Sequence, residues 1–225
     1  MLGIALIFTI LCALFGAAFV AVCEKGQYRR AFWLKGLAGV CFVAAGLSFA
    51  IEQAGPAYPR LIFFGLVFGL IGDQLLALRF IHPERHDVFL ISGAAAFAVG
   101  HGMYIAAMWS LDSGAWLFAL VFLAVGLAAA YTYILRHPIR AGKLLVPGLI
   151  YIALVVAVAA LAASLLTRGQ GTRALRLLLG GILFTVSDCV LTVRSFSEKR
   201  TMRQSVMIHG TYYAAQLLFA WSIAG

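Results

Sequence analysis

Long runs of hydrophobic residues, separated by short polar segments, repeat along the whole chain of 225 residues. Each run reaches or approaches the roughly 20 residues that an α-helix needs to cross a bilayer. The predicted spans are 2–23, 31–51, 61–79, 88–109, 115–135, 144–166, 174–193 and 204–223. The connections are too short to hold a soluble domain. We therefore predict an all-α, polytopic membrane protein, a single integral-membrane domain of residues 1–225 in which eight transmembrane helices form a bundle.

The composition agrees with this prediction and narrows the possible functions. Hydrophobic residues make up 64% of the chain, charged residues make up 11%, and the mean hydropathy is +1.01. The formal net charge of +9 does not indicate a nucleic-acid partner, because the basic residues lie in short loops between hydrophobic spans. The four cysteines are scattered and form no CxxC pair, so neither a disulfide framework nor a thiolate metal site is predicted. No cofactor is expected.

The distribution of lysine and arginine predicts the orientation of the helices in the membrane. The connections after spans one, three, five and seven contain 13 of these residues, whereas the opposite side contains four, Arg60, Arg168, Arg173 and Arg176. The positive-inside rule then places both termini outside. The first hydrophobic run has no basic segment before it and is followed by positive charge, so we interpret it as a retained helix and not as a cleaved signal.

Two aspartates interrupt the hydrophobic spans at matching positions. Span three contains GLVFGLIGDQLLALRF at 65–80, and span seven contains GGILFTVSDCVLTVR at 180–194. Asp73 and Asp188 lie 115 positions apart, and an arginine follows each of them six residues later. A carboxylate within hydrocarbon is costly and normally faces a partner or water inside the bundle, so it indicates a functional site. We expect helices three and seven to be neighbours whose carboxylates meet at one depth, in the cytoplasmic half of the membrane.

Other residues recur at a similar spacing. The sequence HGMY at 101–104 in span four matches HGTY at 209–212 in span eight with an offset of 108. Lys35, at the start of span two, matches Lys143 at the same offset. These matches predict a four-plus-four parallel repeat, with halves of about 1–112 and 113–225. Binding sites of duplicated membrane proteins tend to form where the repeats meet.

Two spans carry small or polar residues on one helical face. On span three, Gly65, Gly69 and Asp73 share a face, which allows a neighbouring helix to approach closely and directs Asp73 into the bundle. Span eight has a polar stripe on an otherwise hydrophobic helix. The stripe comprises Ser205, His209, Tyr212 and Gln216, with Tyr213 beside it.

Five short motifs follow one another along the spans. They are GDxxL in span three, HGxY in span four, Pro147 to Tyr151 in span six, LFxxSDxxL in span seven and YxxQ in span eight. Their order and spacing, from Lys35 onward, resemble the YhhN family of lysoplasmalogenases. The resemblance implies a membrane hydrolase that cleaves the vinyl-ether bond of a lysoplasmalogen, giving a fatty aldehyde and a glycerophospho-ethanolamine or -choline. It also implies alkenyl lysophosphatidylethanolamine or -choline and membrane lipids as partners, and we expect a bacterial inner membrane as the location, with the active site toward the cytoplasmic leaflet.

Two carboxylates suit the acid–base chemistry of vinyl-ether hydrolysis. Protonation of the carbon beta to oxygen gives an oxocarbenium ion, which water then captures, so the reaction needs an acid, a negative charge and a base. We expect Asp73 and Asp188, onto which the family's two aspartates map, to be the catalytic residues. A hydrogen bond from Ser187 would favour the charged form of Asp188, which would leave Asp73 as the acid.

Further polar residues are candidates for binding or orienting the substrate. These candidates are Lys35, His101, Tyr104, Tyr151, Ser187, His209, Tyr212, Tyr213 and Gln216. Lys35, with Arg79 and Arg194, is expected near the cytoplasmic surface, where basic groups bind a substrate's phosphate. The alternative roles are interhelical hydrogen bonds for the histidines, tyrosines and glutamine, and contact with lipid headgroups for the arginines.

Two other functions fit the same residues. Aspartate and histidine are zinc ligands, so Asp73, His101, Asp188 and His209 could hold a metal, although the two histidines are predicted at different depths and no metal is expected. Paired aspartates in a duplicated bundle are also typical of proton-coupled transporters for small molecules or lipids. Spans three and seven are not broken by proline, which counts against a transporter. Release of an aldehyde in detergent distinguishes the hydrolase, because a carrier needs a sealed membrane.

Overall fold

The computed structural model of the protein describes residues 1–53, 55–136, 145–196 and 201–225. These residues form eight α-helices and no β-strand, as the hydrophobic pattern predicts. The helices are α1 (Leu2–Glu24), α2 (Tyr28–Glu52), α3 (Ala57–Ile81), α4 (His86–Leu111), α5 (Trp116–Leu135), α6 (Leu145–Thr167), α7 (Gly171–Phe196) and α8 (Met202–Ser222). Lys143, which the predicted repeat pairs with Lys35, lies outside the described residues.

Six helices in these ranges are long and hydrophobic enough to cross a membrane, namely α1 to α4, α6 and α7. The hydrophobic part of α5, Ala119–Leu135, is shorter. Helix α8 has 21 residues but is less hydrophobic, because serine, histidine, tyrosine and glutamine occupy one of its faces. The prediction of eight helices is therefore confirmed, and the six hydrophobic ones make the chain an integral membrane protein.

Local signals determine where several helices begin and end. Gly26, between α1 and α2, has φ +74°, and Gly169, between α6 and α7, has φ +82°. This left-handed backbone conformation is accessible to glycine without steric cost and allows a tight reversal of the chain. Helix α8 begins with a capping box, in which the Gln204 N–H donates to Thr201 Oγ1 and the Thr201 N–H donates to Gln204 Oε1.

The helices pack in two groups of four. In the first group α1 packs against α2, α2 against α3 and α3 against α4. In the second group α5 packs against α6, α6 against α7 and α7 against α8. The groups meet where α2 packs against α8 and where α4 packs against α6, and α8 also contacts α1 and α3. The α2–α8 and α4–α6 contacts are equivalent if helices four apart correspond, as in the four-plus-four repeat, which stays a prediction.

Helices α1, α3 and α7 end on the same side of the bundle, because residues from all three ends line one cavity. We call this side the basic end. The cationic residues at or near it are Lys25, Arg29, Arg30, Arg79, Arg85, Arg194 and Arg203.

Candidate active site

A polar cavity of about 70 Å³ lies among the helices near the basic end. Helices α1, α2, α3, α4, α7 and α8 all contribute to its walls. The predicted site residues that line it are Lys35, Asp73, Ser187, Asp188, His209 and Tyr212. Asp73 is 3% exposed and Asp188 is 5% exposed. Both carboxylates therefore lie inside the bundle and face one cavity.

A buried ion pair holds the first aspartate. Lys35 Nζ of α2 lies 2.8 Å from Asp73 Oδ1 of α3, and their side chains are only 6% and 4% exposed. The ammonium group also lies 5.6 Å from the centroid of the Phe19 ring of α1. Asp73 Oδ2 is buried and has no hydrogen-bond partner in the part of the chain that the structure describes. The expected position of Lys35 near the surface is wrong, because Lys35 is buried and its contact is with Asp73.

The second aspartate has a different partner. The Tyr151 hydroxyl of α6 donates a hydrogen bond of 2.5 Å to Asp188 Oδ2 of α7. Ser187 does not hold Asp188, as the sequence suggested, because its hydroxyl donates to the Ile208 carbonyl of α8 over 3.0 Å. Ser187 therefore connects α7 to α8, and the argument from Ser187 that Asp73 is the acid no longer applies.

The aspartate helices α3 and α7 are not neighbours, contrary to the expectation from the sequence. Aromatic residues of α4 and α8 lie between them. The Phe97 ring of α4 lies edge-on to Phe184 of α7 at 5.9 Å and to Tyr212 of α8 at 5.8 Å, and Phe184 lies 5.4 Å from Tyr212. The two carboxylates consequently belong to different walls of the cavity, with aromatic side chains between the helices that carry them.

A buried chain of hydrogen bonds positions Tyr212 in the cavity wall. The Tyr104 hydroxyl of α4 donates to Gln216 Oε1 over 2.7 Å, and Gln216 Nε2 donates to the Tyr212 hydroxyl over 3.0 Å. Tyr212 in turn lies 3.4 Å from the Gly69 carbonyl of α3. Tyr104 and Gln216 are not cavity-lining residues, and they reach the site only through Tyr212.

The remaining candidates occupy different environments. His209 lines the cavity and lies edge-on to Phe19 at 4.7 Å. His101 lies outside the cavity, and its Nδ1 donates to the Phe97 carbonyl over 2.7 Å. Its Nε2 is buried without a hydrogen-bond partner in the described ranges. Tyr213 packs against Gly16 of α1 and also lies outside the cavity.

The four side chains of the zinc hypothesis do not converge. His101 is absent from the wall of the cavity that holds Asp73 and Asp188. Within the described ranges, no three histidine, cysteine, aspartate or glutamate side chains are arranged so that they could hold a metal ion. The groups that line the polar cavity include two carboxylates, the Lys35 ammonium, the His209 imidazole and the Tyr212 phenol, a combination that suits proton transfer.

Comparison with known proteins identifies the family. The family model described as "YhhN family" matches residues 30–223. The chain belongs to the YhhN family. It is also 31% identical over 183 residues to "Lysoplasmalogenase TMEM86A" of Bos taurus, covering 80% of this chain and 70% of that protein. No solved structure matches.

Residues of α1 also belong to the site of this YhhN chain, although no sequence pattern predicted them. Phe19 and Cys23 line the cavity, although α1 contains none of the motifs on which the resemblance was based and lies entirely before the matched region. The apolar character of Phe19 resembles that of every other residue in a hydrophobic span. Only its contacts with Lys35 and His209 distinguish it.

Two arginines of the YhhN chain line the cavity as well. Arg79 of α3 is buried, and its guanidinium lies 4.8 Å from the centroid of the Phe80 ring. Arg194 of α7 donates a hydrogen bond of 3.0 Å from Nη2 to Glu24 Oε1 of α1. The cavity therefore extends from the two aspartates toward the basic end of the bundle.

A second, larger cavity of about 480 Å³ lies between α5, α6 and α7. Its walls are almost entirely apolar, and neither aspartate contributes to them. The larger cavity therefore lacks the two carboxylates that line the smaller, polar cavity.

Proposed function

We propose that the chain hydrolyses the vinyl-ether bond of lysoplasmalogens. The observation that carries the proposal is the pair of buried aspartates that line one cavity with unlike partners, an ammonium at Asp73 and a phenol at Asp188. The similarity to a protein named as a lysoplasmalogenase supports the same reaction. The substrate is an alkenyl lysophosphatidylethanolamine or -choline, and the products are a fatty aldehyde and the glycerophospho-base.

The two partners assign different charges to the two carboxyl groups. Lys35 at 2.8 Å stabilises the ionised form of Asp73, because the attraction between opposite charges is strong where water is excluded. No cation pairs with Asp188 in the described residues, and a phenol donor compensates only weakly for the loss of water around a carboxylate. Asp188 is therefore the acid and Asp73 the base, the reverse of the assignment that Ser187 suggested.

The reaction then proceeds in balanced steps. Asp188 donates its proton to the vinyl carbon beta to oxygen, and the positive charge that develops on the ether-bearing carbon is stabilised by the Asp73 carboxylate. Water adds to that carbon and transfers a proton to Asp73 Oδ2, the oxygen that Lys35 does not hold. The resulting hemiacetal loses its hydroxyl proton to Asp188, while Asp73 protonates the departing glycerol oxygen. Both aspartates return to their starting forms, and the aldehyde and alcohol are released.

The size of the cavity restricts which part of the substrate enters it. A volume of about 70 Å³ is too small for a whole lysolipid. The alkenyl tail must therefore leave the cavity toward the membrane.

Aldehyde release by purified protein in detergent tests the proposal. Asp73→Asn and Asp188→Asn should each lower kcat by about a hundredfold or more, because each removes one partner of proton transfer. Asp87→Asn, which removes an exposed carboxylate outside the cavity, is the matched control and should keep the activity of the unmodified protein. Folding is checked by thermal unfolding of each variant.

Two results would contradict this function. A variant at Asp73 or Asp188 that keeps most of the activity would remove that aspartate from the mechanism. Absence of aldehyde release by the unmodified protein in detergent, together with substrate-dependent proton movement across sealed vesicles, would favour the proton-coupled transporter.

A further inference from the structure

Arginine follows each catalytic aspartate at the same distance along its helix. Arg79 lies six residues after Asp73 on α3, and Arg194 lies six residues after Asp188 on α7. Six residues of α-helix advance about 9 Å. Both arginines line the cavity that contains both aspartates. Along each helix the Cα atom of the arginine therefore lies about 9 Å nearer the basic end than the Cα atom of the aspartate.

The substrate class proposed above has the same internal spacing. Seven covalent bonds separate the phosphorus atom of a 1-alkenyl-glycerophospholipid from the vinyl carbon that is protonated. An extended chain advances about 1.2 Å per bond, so these atoms lie roughly 8 to 9 Å apart. A lysolipid whose vinyl ether lies at the aspartates thus has its phosphate at the level of the arginines.

The charges of the lining residues complement a phosphate at this level. Three lining residues in the described ranges, Lys35, Arg79 and Arg194, carry a permanent positive charge, whereas Asp73 and Asp188 are the carboxylates. In the proposed mechanism only Asp73 of these carboxylates is ionised, and Glu24 pairs with Arg194. The three cations therefore exceed the ionised carboxylates by one positive charge. Guanidinium groups bind phosphate oxygens through two parallel hydrogen bonds, which fixes the position of the phosphate as well as its charge.

Arg194 already pairs with one carboxylate of the chain itself. Its Nη2 donates to a Glu24 carboxylate oxygen at 3.0 Å. A guanidinium has five N–H donors, so a phosphate can bind Arg194 beside Glu24 or in its place.

From this spacing and charge we propose that Arg79 and Arg194 bind the phosphate of the lysolipid and thereby place its vinyl ether at the two aspartates. The inference rests on the proposed hydrolysis and adds to it a phosphate subsite that selects glycerophospholipids. A vinyl ether without a phosphate binds more weakly, although the same acid and base act on it.

Comparison of two substrates across a set of variants tests this subsite. The substrates are 1-alkenyl-glycerophosphoethanolamine and the corresponding phosphate-free 1-alkenylglycerol, each presented in mixed micelles at equal surface concentration. For Arg79→Gln and Arg194→Gln, KM for the phospholipid should rise about tenfold or more, as expected for a lost charge-assisted contact. With alkenylglycerol as the substrate, both kcat and KM of these variants should stay unchanged. Arg203→Gln removes an exposed arginine from the same end of the bundle without touching the cavity, and it should leave both substrates unaffected.

Lysine variants provide a second measurement if a glutamine variant does not fold. Arg79→Lys and Arg194→Lys keep the charge but lose the two-pronged geometry, so KM for the phospholipid should rise by less than in the glutamine variants. An equal loss of activity on both substrates would overturn the phosphate subsite and indicate a structural role for the arginines. Unchanged KM for the phospholipid would overturn it as well.

Failure of the subsite is distinguishable from failure of the proposed function. If the unmodified protein cleaves both vinyl ethers but the arginine variants do not discriminate between them, only the phosphate subsite is wrong. If the unmodified protein cleaves neither, the hydrolase proposal is wrong and the subsite falls with it.

Discussion

Each aspartate of the cavity is held by one residue of the preceding helix. Lys35 of α2 precedes Asp73 by 38 positions, and Tyr151 of α6 precedes Asp188 by 37 positions. The two carboxyl groups therefore occupy corresponding places, but one faces an ammonium and the other a phenol. In the proposed mechanism, this difference in side-chain type gives the two aspartates opposite protonation states and hence different roles.

The ion pair between Lys35 and Asp73 should be tested by a double-mutant cycle. Lys35→Met leaves a buried carboxylate without its cation and should lower the free energy of unfolding in detergent by about 3 kcal/mol or more. Lys35→Met with Asp73→Asn removes both charges, so it should recover most of that loss while remaining inactive. Thermal or denaturant unfolding of both single variants and the double variant provides the measurement.

Lys25→Met is the control for this cycle, because Lys25 is exposed at the basic end. It should leave stability and aldehyde release unchanged. If the stability loss of the double variant equals the sum of the losses in Lys35→Met and Asp73→Asn, the two side chains are not energetically coupled.

At the scale of the helices, glycines bring α3 close to its neighbours. A Cβ atom added at Gly65 would overlap the Tyr104 ring of α4, and one added at Gly69 would overlap the Gln216 amide of α8. Tyr104 is 1% exposed and hydrogen-bonded to Gln216, so its ring has little freedom to move. Small residues on α3 thus permit the contacts that carry the Tyr104–Gln216–Tyr212 chain of hydrogen bonds.

Replacing Gly65 by alanine should disturb this packing. We expect Gly65→Ala to lower the free energy of unfolding by about 1–3 kcal/mol, because overpacking forces Tyr104 or α4 to shift. Activity should also fall, since a shifted Tyr104 no longer positions Tyr212 through Gln216. Unfolding in detergent and aldehyde release measure the two effects.

Gly102→Ala is the matched control on α4. No atom lies within 4 Å of a Cβ built at Gly102, so this variant should be neutral or slightly stabilising. If Gly65→Ala were as stable as Gly102→Ala, close approach of α3 and α4 at this point would not contribute to stability.

At the scale of the whole molecule, polar contacts join the two groups of four helices at the end opposite the basic end. The Arg168 guanidinium, just after α6, forms an ion pair with Asp112, just after α4, and the Gly114 N–H donates to the same carboxylate over 2.8 Å. The hydrogen bond from Arg168, with that from Gly114, lowers the pKa of Asp112 below its ordinary value. Asp112 therefore favours the folded state when it is ionised.

Acidification should remove this contribution. Because the pKa of Asp112 is lower in the folded state, its stabilising effect is complete above the ordinary aspartate pKa of about 4. The effect decreases below that pH and is lost once the pH falls through the folded-state pKa. The free energy of unfolding in detergent should decrease as the pH is lowered from about 6 through the folded-state pKa of Asp112. Asp112→Asn should lack this decrease, whereas Asp87→Asn should show it like the unmodified protein. Identical pH profiles for the unmodified protein and Asp112→Asn would contradict this role.

The orientation of the molecule stays a prediction. It rests on 13 basic residues in the connections of one side against four on the other, and this asymmetry places the polar cavity in the cytoplasmic half of the membrane. The basic end, where Arg79 and Arg194 lie, would then meet the headgroups of the inner leaflet.

The sequence by itself determined the elements and the identity of the central residues. Hydrophobic run length and turn residues act locally, so eight helices and their approximate bounds were predictable. An aspartate within a hydrophobic span is costly wherever it lies, so Asp73 and Asp188 were recognisable before any contact was known. Small residues four positions apart likewise indicated that another helix packs closely against α3.

Only the tertiary structure decided which side chains meet. Lys35 lies at the polar start of a span, and the sequence does not show that it turns inward to Asp73 instead of outward to the headgroups. Ser187 is adjacent to Asp188 in the chain, yet it binds Ile208, and the partner of Asp188 comes from 37 positions away. Which side chains contact each aspartate depends on how six helices pack around one cavity. This packing joins residues far apart in the chain, so no local sequence pattern predicts it.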